Sequence, residues 1–184
     1  MILNDGKIEA LSESKYLVDP FHKSNAQPAS YDVTLDSKLV LIKANTKNAV
    51  FDPMKRTSSG VYYETINIPE EGYVLKPGEF LLGSTIEKIQ LPSNISARFD
   101  GKSSLGRIGL VTHVTAGFID PGFKGQITLE IKNNNSEDIG IVLRRGMKIG
   151  QIVFTLMTNP ALRSYGSYGL GSHYQNQVGA TPSK

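Results

Sequence analysis

The chain contains no cysteine. That excludes disulfides and every zinc site built on thiolates. Only three histidines are present, His22, His113 and His173, and no two are close enough in sequence to suggest a histidine-rich metal cage. No apolar run approaches the roughly 18 residues of a membrane span. Met1-Ile2-Leu3 runs straight into Asn4-Asp5, so no secretory leader is expected and a cytoplasmic location is. Charge of one sign is in small excess. A net charge of +3 does not by itself argue for a nucleic-acid partner, although it leaves room for a local pocket that takes a small anion.

What is present suits one domain, with or without extensions. The 184 residues are 39% hydrophobic and 20% charged, both ordinary for a soluble globular protein. A chain of this length buries roughly 70% of the surface its unfolded form exposes, enough for a real core. Asn4 or Asp5 is placed to cap a short helix with Ile8 and Leu11 inward. Tyr31, Val33 and Leu35 alternate with Asp32, Thr34 and Asp36, the period of a strand, and Asp36-Ser37-Lys38 turns it into a second strand over 39–43. Residues 44–60 read as a polar loop. Strands are expected over 61–68, 80–89, 97–100, 126–132, 139–143 and 148–156, with turns at Lys76-Pro77-Gly78 and 133–138. Residues 103–110 have helical spacing, with Leu105, Ile108 and Leu110 on one face. Many short strands and few helices predict an all-β barrel or sandwich.

Four stretches can carry chemistry, and each has an ordinary structural reading beside the functional one. “GKSSLGRIGL”, residues 101–110, brings Lys102, Ser103, Ser104 and Arg107 together between glycines. It is either an anion site at a helix start or a capped surface turn with solvated basic residues. It is not a Walker loop, whose glycine–lysine order is absent. In “AGFIDPGFKG”, Pro121 biases Asp120 toward an extended backbone, and Pro121-Gly122 fits a tight turn. Asp120 is then a turn cap or a ligand for a hydroxyl. Glu130 shares a strand face with Thr128, opposite Ile127, Leu129 and Ile131. It is either solvent-facing or a general acid/base. Residues 163–184, rich in Gly, Tyr, Ser and Gln, are either a disordered tail or a lid offering Tyr165 and Gln177 to a ligand.

Taken together, “GKSSLGRIGL”, “THVTAGFIDPGFKGQITLEI”, “GMKIGQ” and “SHYQNQVGATPS”, in that order and spacing, resemble the dCTP deaminase family of the trimeric dUTPase superfamily. “QPASYDVTLD” and “LKPGEFLLGSTIEKIQLP” extend the resemblance over nearly the whole chain. It implies a dUTPase-type, distorted β-barrel or jelly-roll-like fold with short helices, over residues 1–162. It also implies a tail, 163–184, that closes over the active site, and a homotrimer with sites shared between subunits. The implied reaction is deamination of dCTP to dUTP and ammonia, feeding dTMP synthesis. Mg²⁺ would be held by the triphosphate rather than by side chains, with no zinc, nucleic acid or membrane partner. Further ligands the resemblance implies are dUTP and dTTP.

By the same resemblance, Glu130 matches the catalytic glutamate. Ser103 and Arg107 match residues around the reacting base and its water. Lys102, Ser103, Ser104, Leu105, Gly106 and Arg107 match the segment that handles phosphates. Asp120 matches the sugar-binding aspartate, and Thr128 and Leu129 match residues that contact the base. Gln151, Tyr165 and Gln177 match further nucleotide-binding positions. His173 stands where the family usually has a phosphate-facing lysine, which makes that contact weaker or pH-dependent. Ala116-Gly117-Phe118 resembles the branch that also cleaves the triphosphate to dUMP and pyrophosphate. The glycine there is expected to leave room for a second water. With no cysteine-bound zinc to activate water, Ser103 and the backbone near Ala116 would hold it, and Glu130 would move its protons. Arg107 would favour an ionised Glu130 or stabilise charge on the base. The alternatives are a plain dUTPase and a non-catalytic nucleotide-binding regulator.

Overall fold

The computed structural model describes residues 1–14 and 17–183. A first helix, α1 (Asp5–Glu13), starts where expected: the Asn4 side chain accepts a hydrogen bond from the Lys7 N–H at 3.0 Å. Its inward residue Ile8 is fully buried, and Leu11 packs against the core from the edge. Short strands β1 (Val18–Asp19), β2 (Ala26–Gln27) and β3 (Ser30–Thr34) follow, then β4 (Lys38–Ala44), β5 (Val50–Asp52), β6 (Thr57–Ser59) and β7 (Val61–Asn67). After β8 (Tyr73–Leu75) come the long β9 (Phe80–Gln90) and β10 (Ile95–Gly101), the four-residue α2 (Ser103–Gly106), and β11 (Leu110–Val111). Then come β12 (Phe118–Ile119), β13 (Lys124–Asn133), β14 (Ile141–Leu143) and β15 (Lys148–Leu156).

Two main sheets form the barrel-like body. One runs β11-β13-β9-β4-β7 with β1 added to β9, the other β12-β10-β15-β3-β2. The pairings of these strands are antiparallel, so each strand can present one face inward and one outward. Tyr31, Val33, Leu81, Leu129, Ile131, Ile152 and Phe154 fill the space between the sheets, all with essentially no exposure. Each such side chain contributes about 1.5–3 kcal/mol by leaving water. The all-β expectation holds. Two details differ. Residues 57–59 lie in an exposed hairpin, β5–β6, rather than a loop, because the segment pairs locally with no apolar face to bury. Ile108 does not share the inward face of Leu105 and Leu110. It is exposed, because α2 ends at Gly106 and helical spacing stops there.

Glu87 is a buried carboxylate at a register irregularity of β9, where it accepts from the Thr34 N–H (2.9 Å) and the Thr34 hydroxyl (2.8 Å). Burial pushes its pKa above the ordinary 4.5, and the two Thr34 bonds only partly offset this. A folded-state acid with a raised pKa holds its proton more tightly than the unfolded chain does. Its contribution to stability is therefore fully present below pH 4.5 and lost as pH rises through the raised value. Glu87→Gln keeps an acceptor for the Thr34 N–H and a donor for its hydroxyl. Thermal melts should show the variant more stable than wild type at pH 8, with the difference shrinking toward pH 4.5. A pH-independent difference would contradict this account.

Candidate active site

Glu130 lies on the outer face of the first sheet, directly opposite Leu82, while Thr128 lies opposite Ser84 and Lys132 opposite Phe80. Paired residues share a face, so the carboxylate stands among Leu82, Phe80, Ile42 and Tyr63 rather than on a polar surface. This is what the alternation of β13 alone cannot reveal. A polar side chain on the face opposite the core normally meets water, but here that face is one wall of a cavity of about 870 Å³. The other walls come from the β5–β6 hairpin, from His113, Ala116 and Phe118, and from the C-terminal tail. Glu130 Oε2 accepts the Val114 N–H at 2.8 Å. The loop after β11 therefore fixes the rotation of the carboxylate, and its Oε1 has no partner among the described residues.

Asp120, Thr128, Tyr165, His173 and Gln177 line the same cavity. The turn at Asp120 is built as its sequence requires: the Phe123 N–H donates to the Asp120 carbonyl at 3.1 Å, with Gly122 at φ +89°. A Cβ on Gly122 would also meet the backbone of Tyr165 at 2.7 Å. The Asp120 carboxylate does not cap this turn and is exposed toward the cavity. The Tyr165 N–H donates to the Pro121 carbonyl at 2.8 Å, and its ring packs on Phe123 with centroids 5.8 Å apart. The tail then runs beside β13. The Asn176 N–H donates to the Lys124 carbonyl at 2.7 Å, and Gln177 forms a parallel bridge with Gly125. This segment, open to reading as a disordered tail or a lid, forms specific amide bonds through its glutamine side chains. Gln175 Oε1 accepts the Lys124 N–H at 3.0 Å and its Nε2 donates to the Gly122 carbonyl at 2.9 Å.

A second group stands apart. Lys102, Ser103, Ser104, Leu105, Gly106, Arg107 and Gln151 are not among the residues lining the cavity. Ser103, Ser104, Gly106 and Arg107 are exposed on α2 and just beyond it, with Leu105 tucked against the core. Arg107 forms no ion pair among the described residues. Gln151 lies directly opposite Asp32 on one side and Asp100 on the other. Its Oε1 accepts the Ser30 hydroxyl at 3.2 Å. Asp32, 2% exposed, accepts from Lys102 Nζ at 2.5 Å and Lys148 Nζ at 3.1 Å. The two ammonium groups offset the loss of water around that carboxylate. Asp32 and Lys148 are polar-site residues the sequence did not disclose. Asp32 sits in an ordinary alternating strand, and only the sheet order brings lysines from β15 and the start of α2 to it.

The fold sets the surroundings of three expected site elements. A Cβ on Gly117 would meet the Phe99 carbonyl at 2.8 Å and the His113 ring at 3.5 Å. The glycine allows close backbone approach, with the Phe99 N–H donating to the Gly117 carbonyl at 2.7 Å. Ala116 beside it does line the cavity. Leu129 has no exposed side chain to offer a base, because it points into the core. Within one chain the serine–arginine turn does not line the Glu130 cavity, and the expected sites are ones shared between subunits. Sequence reasoning also passed over His113, whose ring lies edge-on to Phe99 (5.6 Å) at the cavity wall. Its only signal was its place just before the glycine-rich loop.

Fold and cavity thus define an all-β barrel protein carrying a ligand cavity with one oriented acid on a sheet face. The chain belongs to the dCTP deaminase-like family, whose model matches residues 2–157. It is 49% identical over its whole length to a Rhodococcus opacus protein named “dCTP deaminase, dUMP-forming”, of which it covers 96%. It is 47% identical, again over its whole length, to a Corynebacterium diphtheriae protein of the same name, of which it covers 97%. Among solved structures it is similar to the 2'-deoxycytidine 5'-triphosphate deaminase of Agrobacterium tumefaciens, with 28% identity and a TM-score of 0.66. That match takes in 84% of this chain and 47% of the other, so this chain spans about half the length of that protein. No helix among the described residues is long and apolar enough to cross a membrane.

Proposed function

We infer that this protein deaminates dCTP and cleaves the product to dUMP and pyrophosphate. The observation that carries the reading is Glu130. Its carboxylate is pinned at one oxygen by the Val114 N–H, and the other oxygen has no partner among the described residues and stands beside a nucleotide-sized cavity. The supporting comparison is end-to-end similarity to proteins named for this reaction. The chemistry follows from one carboxylate. It takes a proton from water as the oxygen attacks C4 of cytosine and delivers it to N3, then carries the proton of the new C4 hydroxyl to the departing amine. The C4–N4 bond breaks and ammonia leaves. A second water then attacks the α-phosphorus, and pyrophosphate departs. Asp120 is placed to accept a sugar hydroxyl, Tyr165 to offer an aromatic face, and Thr128 and Gln177 to hydrogen-bond the nucleotide. His173, which also faces the cavity, would meet the phosphates. Mg²⁺ would arrive as part of the triphosphate substrate.

The separate, exposed set of Ser103, Ser104 and Arg107 supports a homotrimer in which α2 of one subunit completes the cavity of another. A guanidinium with no ion pair among the described residues contributes little to the fold of its own chain. Incubation with dCTP and Mg²⁺ should yield dUMP, pyrophosphate and ammonia in equal amounts, without build-up of dUTP. Accumulated dUTP would reduce the reading to deamination alone. Cleavage of dUTP with dCTP untouched would replace it with a dUTPase.

A further inference from the structure

We propose that Gln126 is a positioning residue for this reaction: its buried amide latches the tail onto β13 and so closes the cavity. The proposal rests on reading that cavity as the nucleotide site. Gln126 is 6% exposed and touches the tail through three of its polar atoms. Its backbone N–H donates to the Gln177 carbonyl at 3.1 Å, and its carbonyl accepts Gln177 Nε2 at 2.6 Å. Its side-chain Oε1 accepts the Gly179 N–H at 2.6 Å. Two residues further along β13, Thr128 Oγ1 accepts the Thr181 N–H at 3.2 Å. The tail is in effect an added strand held by one buried side chain as well as by backbone.

The orientation of that side chain is not arbitrary. Its Nε2 faces three acceptors at the register shift of β9: the Thr85 carbonyl at 2.7 Å, Asp36 Oδ2 at 3.2 Å and the Ile86 carbonyl at 3.3 Å. A flipped amide would set its oxygen against all three and its NH₂ against the Gly179 N–H, so the network assigns the atoms. The barrel thereby presents a fixed acceptor at the one place where the tail needs it. The latched segment carries Tyr174, Gln177 and Thr181, all of which line the cavity. The rest of the tail buries little apolar surface: Leu162 and Tyr168 are fully exposed. Closure therefore depends on a few hydrogen bonds, and losing one shifts the balance measurably. If the nucleotide binds only the closed form, its apparent affinity falls in proportion to the closed fraction.

The test uses two variants that attack the latch from opposite sides. Gln126→Met keeps length and bulk but removes both ends of the amide. Gly179→Pro removes the tail's donor and also forces the tail backbone out of its φ of +74°, which proline cannot adopt, while leaving the residues of the barrel unchanged. Amide hydrogen exchange of residues 174–183 without nucleotide reads the latch independently of catalysis. Each variant should speed exchange there about ten-fold, roughly the worth of one buried hydrogen bond. Each should also raise KM for dCTP about ten-fold while kcat at saturation stays within about two-fold, because bound nucleotide re-forms the closed state. The double variant should add little to either single one. Unchanged exchange in both variants would overturn the latch, and faster exchange with unchanged KM would overturn its role in positioning. Faster exchange in a protein that never turns over dCTP would count against the proposed reaction and leave the latch standing.

Discussion

Glu130→Gln is expected to bind dCTP with affinity close to wild type and to release ammonia at least ~10²-fold more slowly. The substitution is chosen for what it preserves. The glutamine Oε1 can still accept the Val114 N–H that now holds the carboxylate at 2.8 Å, so side-chain position and cavity shape survive. What it removes is the ability to take a proton from water and give it back. Among the described residues lining the cavity, the other carboxylates are Asp52 and Asp120. Asp120, the nearest acid by sequence in the cavity wall, belongs to the turn before β13, and Asp52 to the distant hairpin. Dissociation constants from titration calorimetry and ammonia release from a coupled assay separate binding from chemistry. Wild-type turnover in this variant would remove Glu130 from the mechanism, whatever the affinity.

Arg107→Ala alone should abolish most activity without destabilising the fold. The side chain is exposed and forms no ion pair among the described residues, and truncations of this kind usually cost within about 0.5 kcal/mol. The sharper result comes from mixing. If the cavity of one subunit is completed by Arg107 of another, mixed assemblies of Arg107→Ala and Glu130→Gln chains contain some sites with both native residues. For equal, random mixing about a quarter of the sites are intact, so two nearly inactive proteins should together recover about a quarter of wild-type turnover. Co-refolding followed by the ammonia assay measures this directly. No recovery beyond the sum of the parents would show that both residues serve the same chain's site, and the trimeric reading would fall with it.

Much of the architecture was legible because strands announce themselves by period two. The 31–36 alternation, the long 80–89 segment and the 148–156 strand all lie where their apolar spacing put them. Glu130 was legible as a position but not as an environment. Alternation said only that it faces away from Leu129 and Ile131, and nothing local said that Phe80 and Leu82 of β9 stand beside it on that face. The tail was left open between disorder and a lid for a related reason. Glycine and serine predict disorder where no apolar surface is available, but Gln175 and Gln177 bind backbone groups of residues 122–126 that are remote in sequence. Gly117 shows the same limit in reverse: its role is set by the Phe99 carbonyl, 18 residues away.

By itself the amino-acid order determined the all-β class, a helix capped at Asn4 or Asp5, the Asp120–Phe123 turn and the residue types available for chemistry. These depend on backbone preference and on spacing within a few residues. Tertiary structure alone decided which of those residues share a cavity, that Asp32 is buried between two lysines, and that Gln126 faces the tail. The last two are contacts across more than 50 residues of chain, fixed by strand order and register, and no short-range period encodes them.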